Sequence, residues 1–210
     1  MLSMKRINDI FYSLQGEGHN SGRAAVFIRF AGCNLRCSFC DTDFDSYREM
    51  TDGQILEAIA VYPARFVVLT GGEPTLQVDE AFVGLLHDKG YEVAMESNGL
   101  RPAPSNIDWL TVSPKGCIPE HFLGKAKQRV RMPDEIKIVF EDETSFENLV
   151  KDLPLLLEEA VGMRPFLYIQ PCDTGHQQRN ALVVQACIDY VKRHPEWRLS
   201  LQTHKLVGFK

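Results

Sequence analysis

No stretch of this 210-residue chain is long and apolar enough to span a membrane, and the opening Met-Leu-Ser-Met-Lys-Arg-Ile lacks the apolar run of a secretory leader. A basic excess is missing too. Twenty-three Lys and Arg face 28 Asp and Glu, a net charge of −5, which argues against nucleic-acid binding through a broad basic face and leaves small anionic ligands open. There is no internal repeat, no low-complexity tract and no linker, so one domain over residues 1–210 is expected, with a core that needs no disulfides. Cysteine is sparse: of six, three crowd into the eight residues from Cys33 to Cys40, while Cys117, Cys172 and Cys187 are scattered. That distribution favours metal chemistry over crosslinking and a cytoplasmic setting without membrane contact.

What is present begins with that crowding. Cys33, Cys37 and Cys40 follow a C-x3-C-x2-C spacing in Gly32-Cys-Asn-Leu-Arg-Cys-Ser-Phe-Cys-Asp-Thr42. Three thiolates on one loop can hold an iron–sulfur cluster, and three for a four-iron cubane leave one iron open to a ligand. A zinc site completed by Cys117, Cys172 or a histidine competes, although no second Cys or His pair stands nearby.

Apolar, β-branched runs at Ala24–Phe30, Phe66–Thr70, Tyr91–Glu96, Trp109–Ser113, Glu135–Phe140, Phe166–Gln170 and Arg198–Gln202 read as strands. Helical patterns fall between several of them. Thr51 with Gln54 makes a capping box for a helix to about Val61; Val78–Lys89 ends before Gly90; Thr144–Glu159 and Gln177–His194 follow, the last stopped by Pro195. Gly99–Asn106 and Lys115–Asp134 are too irregular for regular crossovers, so the expected class is α/β, a partial, open β/α barrel with mostly parallel strands.

The polar motifs sit where such a barrel builds its site, at the C-terminal strand ends. They are the cysteine loop, Gly71-Gly72-Glu73-Pro74, Glu96-Ser97-Asn98-Gly99, Ser113-Pro114-Lys115, Gln170-Pro171-Cys172-Asp173 and Gln202-Thr203-His204-Lys205. Six motifs would face one cavity. Paired glycines let backbone approach a ligand, and carbonyls or a carboxylate there can receive an ammonium group, yet alone a Gly-Gly pair is an ordinary turn. Lys115 reads either as a solvated surface lysine or as a fixed charge at the rim. Arg29, inside an apolar strand, needs an anion, either Glu17 or a ligand carboxylate. Most histidines are read as surface or loop residues, with His19, His121 and His176 lacking a clear partner, whereas His204 at a strand end is placed to bond a heterocycle or exchange protons, with a structural role competing. Asp41, Thr42, Asp43 and Asp45 form a loose hard-cation pattern that a solvated loop explains equally well.

Taken together, Ser13-Leu-Gln-Gly-Glu-Gly18, the cysteine loop, Thr70-Gly-Gly-Glu-Pro74, Ser113-Pro-Lys115 and Leu201-Gln-Thr-His-Lys205 resemble the 7-carboxy-7-deazaguanine synthase family of radical S-adenosylmethionine (SAM) enzymes, over nearly the whole chain. The resemblance implies that Cys33, Cys37 and Cys40 hold a [4Fe–4S] cluster whose open iron binds SAM. It implies a SAM cradle of Phe39, Asp41, Gly72, Ser113, Pro114, Lys115, Gln170, Pro171, Cys172 and Asp173. A pterin substrate, 6-carboxy-5,6,7,8-tetrahydropterin, would meet Leu14, Gln15, Gly16, Arg29, Thr70 and the carboxylate of Lys210, with Thr42 as ligand of Mg2+. The implied reaction is a ring-contracting lyase step with loss of ammonia, in queuosine and deazapurine biosynthesis. A flavodoxin- or ferredoxin-type electron donor and a homodimer are implied likewise. Two rivals stand beside it: an activase that makes a glycyl radical on a partner protein, and a nonenzymatic iron–sulfur or zinc module.

Overall fold

The computed structural model describes residues 4–40, 42–43, 45–116, 132–151, 153 and 165–210. Among these, nine strands form one sheet: β1 (Met4–Leu14), β2 (Ala24–Phe30), β3 (Arg48–Thr51), β4 (Phe66–Gly71), β5 (Glu92–Ser97), β6 (Trp109–Val112), β7 (Glu135–Phe140), β8 (Phe166–Pro171) and β9 (Trp197–Leu199). Their order is β3-β1-β2-β4-β5-β6-β7-β8-β9. Every neighbouring pair from β2 to β9 is parallel, while β1 runs antiparallel to β2 and β3. The order ends on β3 and β9 without their pairing, so the barrel is open.

Strand residues alternate between two faces. Val26, Ile28, Phe30, Val67, Leu69, Val93, Met95, Ile136, Ile138 and Phe140 pack outward against helix residues Ile55, Ile59, Phe82, Leu86, Phe146 and Tyr190. Those belong to α1 (Asp52–Ala60), α2 (Glu80–Asp88), α3 (Glu143–Val150) and α4 (Gln177–Arg193). On the concave face a smaller cluster of Phe11, Ala25, Phe27, Phe66, Val68 and Ala94 fills one end of the barrel. Further along those same alternating positions stand Glu96, Glu135 and Lys137, so the interior turns from apolar to charged. The expected capping box is present, Gln54 N–H donating to Thr51 Oγ1 at 3.2 Å and Thr51 N–H to Gln54 Oε1 at 2.8 Å; such a cap is worth ~1 kcal/mol.

Several elements differ from their sequence reading. β1 and β3 were not anticipated: Lys5, Arg6, Asn8 and Asp9 interrupt the apolar signal of β1, and β3 is only Arg-Glu-Met-Thr. The strand expected at Arg198–Gln202 pairs only over Trp197–Leu199, and a short helix α5 (Thr203–Val207) follows, closed by Gly208 at φ 74°. The helix expected from Val78 begins at Glu80, because Asp79 accepts the Phe82 N–H and caps it. The second half of the helix expected at Thr144–Glu159 lies mostly outside the described residues, as does most of Lys115–Asp134.

Residues 15–19 leave β1 and cross the open interior. Gln15 Nε2 donates to Glu96 Oε1 at 3.2 Å, Glu17 pairs with Lys137 on β7, and Gly18 N–H donates to Ser200 Oγ at 2.9 Å. His19 N–H donates to Glu135 Oε2 at 2.9 Å. Its ring, expected to lack a partner, stacks on Trp109 and Phe166 at 4.6 and 4.7 Å between centroids. A Cβ on Gly18, whose φ is +64°, would overlap the Glu135 carboxyl. This strap ties β1 to walls that the sheet alone leaves apart.

Candidate active site

All six strand-end motifs line one cavity of about 230 Å3, among them Cys33, Cys37, Phe39, Cys40, Gly72, Asn98, Ser113, Lys115, Gln170, Pro171, Cys172, Asp173, Gln202 and Lys205. Pro114 is buried behind the rim, off the lining, and Asp41 lies outside the described residues. A second cavity of about 380 Å3 is lined by Leu14, Gln15, Gly16, Arg29, Thr42, Thr70, His204 and Lys210. Glu17, Thr70, Glu96, Gln202 and Lys205 line both, so the two spaces adjoin.

The wall between them is a charge cluster. Lys137, 4% exposed, reaches with its Nζ to Glu17 Oε2 at 2.7 Å and Glu96 Oε2 at 3.0 Å. Gln202 Nε2 adds a bond to Glu17 Oε1 at 2.9 Å. Burial alone would raise the Glu17 pKa, but the Lys137 charge and the hydrogen bonds from Lys137 and Gln202 outweigh it and bring it to about 2. Burial likewise disfavours the Lys137 charge, and Glu17, Glu96 and Glu135 reverse that, holding the ammonium above the ordinary lysine range. Glu135 is the odd carboxyl. Burial pushes it up to about 7 despite Lys137, with Glu96 and Glu17 adding repulsion, and its Oε1 is buried without a hydrogen-bond partner among the described residues.

Lys115, read either as solvated or as a rim charge, is at the rim. Burial and the Lys137 charge lower its pKa, and its Nζ donates to Ser113 Oγ at 2.5 Å, 5.7 Å from the centre of the Phe39 ring. Arg29 does not meet Glu17, which Lys137 has taken; its Nε is buried beside the second cavity with no hydrogen-bond partner among the described residues. His204 lines that cavity and packs against Gly16, where a Cβ would overlap its Nδ1. Lys210 also lines it, with its carbonyl oxygen accepting from Ser13 Oγ and its amine 2.7 Å from Asp9.

The glycine pair lines the first cavity and also packs against the chain itself. A Cβ on Gly72 would overlap the carbonyl oxygen of Gly32, and Gly72 N–H donates to Phe30 O at 2.9 Å, so the bare backbone lies against the root of the cysteine loop. Glu73 is fully buried, and its carboxylate accepts from Thr75 N, Thr75 Oγ1, Ser97 Oγ and Asn98 N at 2.7–3.0 Å. Fully buried and off the cavity lining, this carboxylate is closed to a ligand's ammonium group. Glu135 and Lys137 were missed, and Glu96 was noted only as part of a rim motif; charged side chains at every second place in buried parallel strands were the available signal, since such strands normally read as unbroken hydrophobic runs.

Comparison with known proteins bears on what this arrangement does. The model of the radical SAM superfamily matches residues 27–153. A 7-carboxy-7-deazaguanine synthase of Bacteroides thetaiotaomicron is 44% identical over 99% of this chain and 100% of its own length. The chain belongs to the 7-carboxy-7-deazaguanine synthase family. A Bordetella pertussis member is 40% identical over 96% of this chain and 97% of its own. The crystal structure of QueE from Escherichia coli superposes with a TM-score of 0.70 at 28% identity, covering 96% of this chain and 95% of that one. As a radical SAM enzyme of this family the chain uses a [4Fe–4S] cluster and SAM.

The residues present fit that pair. Three free thiols open on one cavity. Among the described residues no three Cys, His, Asp or Glu side chains lie close enough to share a single ion, so no compact zinc tetrahedron is preformed. Burial raises the Cys37 thiol, with Cys33 and Cys40 adding and Lys115 opposing. Binding metal therefore releases protons from this loop.

Proposed function

We propose that this chain converts 6-carboxy-5,6,7,8-tetrahydropterin to 7-carboxy-7-deazaguanine with loss of ammonia, the cofactors in the first cavity and the pterin in the second. The observation that carries this reading is the pair of adjoining cavities, one lined by three cysteines and the other by a buried guanidinium nitrogen with no partner. When bound, the cluster and SAM supply a carbon-centred radical able to take a hydrogen atom from a substrate carbon.

The chain's own residues hold, orient and exclude. Cys33, Cys37 and Cys40 are the cluster ligands. Phe39, Gly72, Ser113, Lys115 and the Gln170–Asp173 turn line the SAM side, where Lys115 supplies a positive charge for a carboxylate. Arg29 takes the substrate carboxylate: its buried Nε–H matches an anion, and among the described residues no group bonds it. Thr42, on the same cavity, is the protein ligand of Mg2+, which accepts a few protein oxygens and completes its shell with water and substrate oxygen. Glu17, kept ionised by Lys137, and Glu96 beside it present acceptors toward a ring rich in N–H donors, and Gln15, Gly16 and His204 close the far side. Such a site controls a reactive carbon by orientation more than by acid–base chemistry. Asp41 belongs to the SAM set by resemblance alone. A one-electron donor of flavodoxin or ferredoxin type, a homodimeric state and a cytoplasmic setting complete the reading; among the described residues no helix is long and apolar enough to cross a membrane.

The test is anaerobic reconstitution followed by incubation with SAM, a strong reductant and carboxytetrahydropterin, with product mass as readout. Deazaguanine together with 5′-deoxyadenosine is expected. SAM cleavage that yields no deazaguanine but activates a glycine on a partner protein would establish the activase, and no cleavage at all the nonenzymatic module.

A further inference from the structure

We propose that Asn98 is a positioning residue for the cysteine loop, acting through Asn34 on Cys33; the inference rests on that loop being the cluster's ligand set. Asn98 stands at the end of β5 on the wall of the first cavity and is 8% exposed. Its backbone N–H is fixed by Glu73 Oε2 at 2.8 Å, and its side-chain oxygen is taken by the Leu100 N–H at 2.9 Å. With the oxygen so engaged, the amide nitrogen is turned outward, and it donates to Asn34 Oδ1 at 2.8 Å. Glu73 meanwhile donates its own N–H to Gly32 O at 2.9 Å. The cysteine loop is therefore gripped on both sides of Cys33, by backbone at residue 32 and by side chain at residue 34.

Between those grips, Leu35 N–H donates to Cys33 Sγ at 3.4 Å. Hydrogen bonds to cluster sulfurs stabilise the more negative, reduced state and set its potential. In the thiol form Cys33 Sγ also donates to Asn34 Oδ1 at 3.8 Å. A thiolate bound to iron has no proton to give, and an Asn34 oxygen without another donor would face a negative sulfur with nothing to hold it away. Asn98 provides that donor, and in doing so keeps the Cys33–Leu35 turn in the shape that aims the Leu35 N–H at sulfur.

The experiment is a cycle of Asn98→Ala, Asn34→Ala and the double variant, each reconstituted as the full chain and titrated by EPR-monitored potentiometry, with circular dichroism to verify folding. Each single variant is expected to change the ratio of reduced to oxidised cluster about tenfold against reduction at fixed potential, about 59 mV for one electron. The double variant should show the same tenfold change, because both substitutions break one bond. An Asn98→Ala cluster with the wild-type potential would overturn the proposal, as would single shifts that add to a hundredfold. Asn34→Ala lies on an exposed position and tests the same bond should Asn98→Ala misfold. A wild-type chain that takes up no cluster would overturn both the proposal and the reading beneath it, a result distinct from an unchanged potential.

Discussion

Replacing Glu135 by Gln should stabilise the protein at alkaline pH and do little at acid pH. Glu135 is 1% exposed, one of its oxygens has no partner, and its pKa rises to about 7 from 4.5. A carboxyl whose pKa is raised by folding favours the native state fully when protonated, below about pH 4.5, and loses that advantage as pH climbs through about 7. Integrating the difference in bound protons gives a cost of about 1 kcal/mol at pH 5 and about 3 kcal/mol at pH 8. Gln keeps an oxygen for the His19 N–H and carries no charge, so the cost should vanish. Urea unfolding of the full chain at pH 5 and pH 8 measures it directly: the variant should gain roughly 2–3 kcal/mol more, relative to wild type, at the higher pH. A stability difference that is the same at both values would refute the reasoning, and so would a variant losing ground as pH rises.

Arg29→Ala should raise the KM for the pterin about 10- to 100-fold, the worth of a hydrogen bond to a charged group, while SAM cleavage in the absence of pterin is kept; unchanged pterin kinetics, measured anaerobically, would remove Arg29 from the site. Cys37→Ala should abolish the cluster's visible absorbance, whereas Cys187→Ala should retain it. Cys187 sits on the core face of α4, away from both cavities, and burial alone lifts its thiol to about 12. Equal iron loss in the two would mean that the ligands are misassigned.

The parallel core and the rim were legible because their signals are local. Ala24–Phe30 is a nearly unbroken apolar run and Glu135–Phe140 keeps an apolar residue at every second place, and each rim motif lies at or just past a strand end. The helix after β3 was readable from two residues, Thr51 and Gln54. What escaped is set by distant partners. Lys5 looks like a surface residue until Asp52 and the ring of Phe82 enclose it at 2.6 and 4.4 Å, and with it β1 was overlooked. The Lys137 cluster escaped for the same reason, since Glu17 and Glu96 meet it from 120 and 41 positions away. Gly72 lines the first cavity, and its packing against the Gly32 carbonyl went unread, because a glycine's spacing does not tell a ligand from a carbonyl of the chain.

The strap between β1 and the far wall has a consequence for biogenesis. Thr203 donates its N–H to Gly16 O, Gln202 bonds Glu17, and Lys210 meets Asp9, partners separated by 185 to 201 residues. Contacts this remote are slow to form, since closing so long a loop costs entropy before anything is gained. On the ribosome, the β1–β2 hairpin must wait, half-furnished, until Gln202 emerges 185 positions after Glu17. The second chamber is thus completed only once Gln202 and Thr203 are made, and a nascent chain stalled short of them would own a cysteine loop with nowhere to put a substrate.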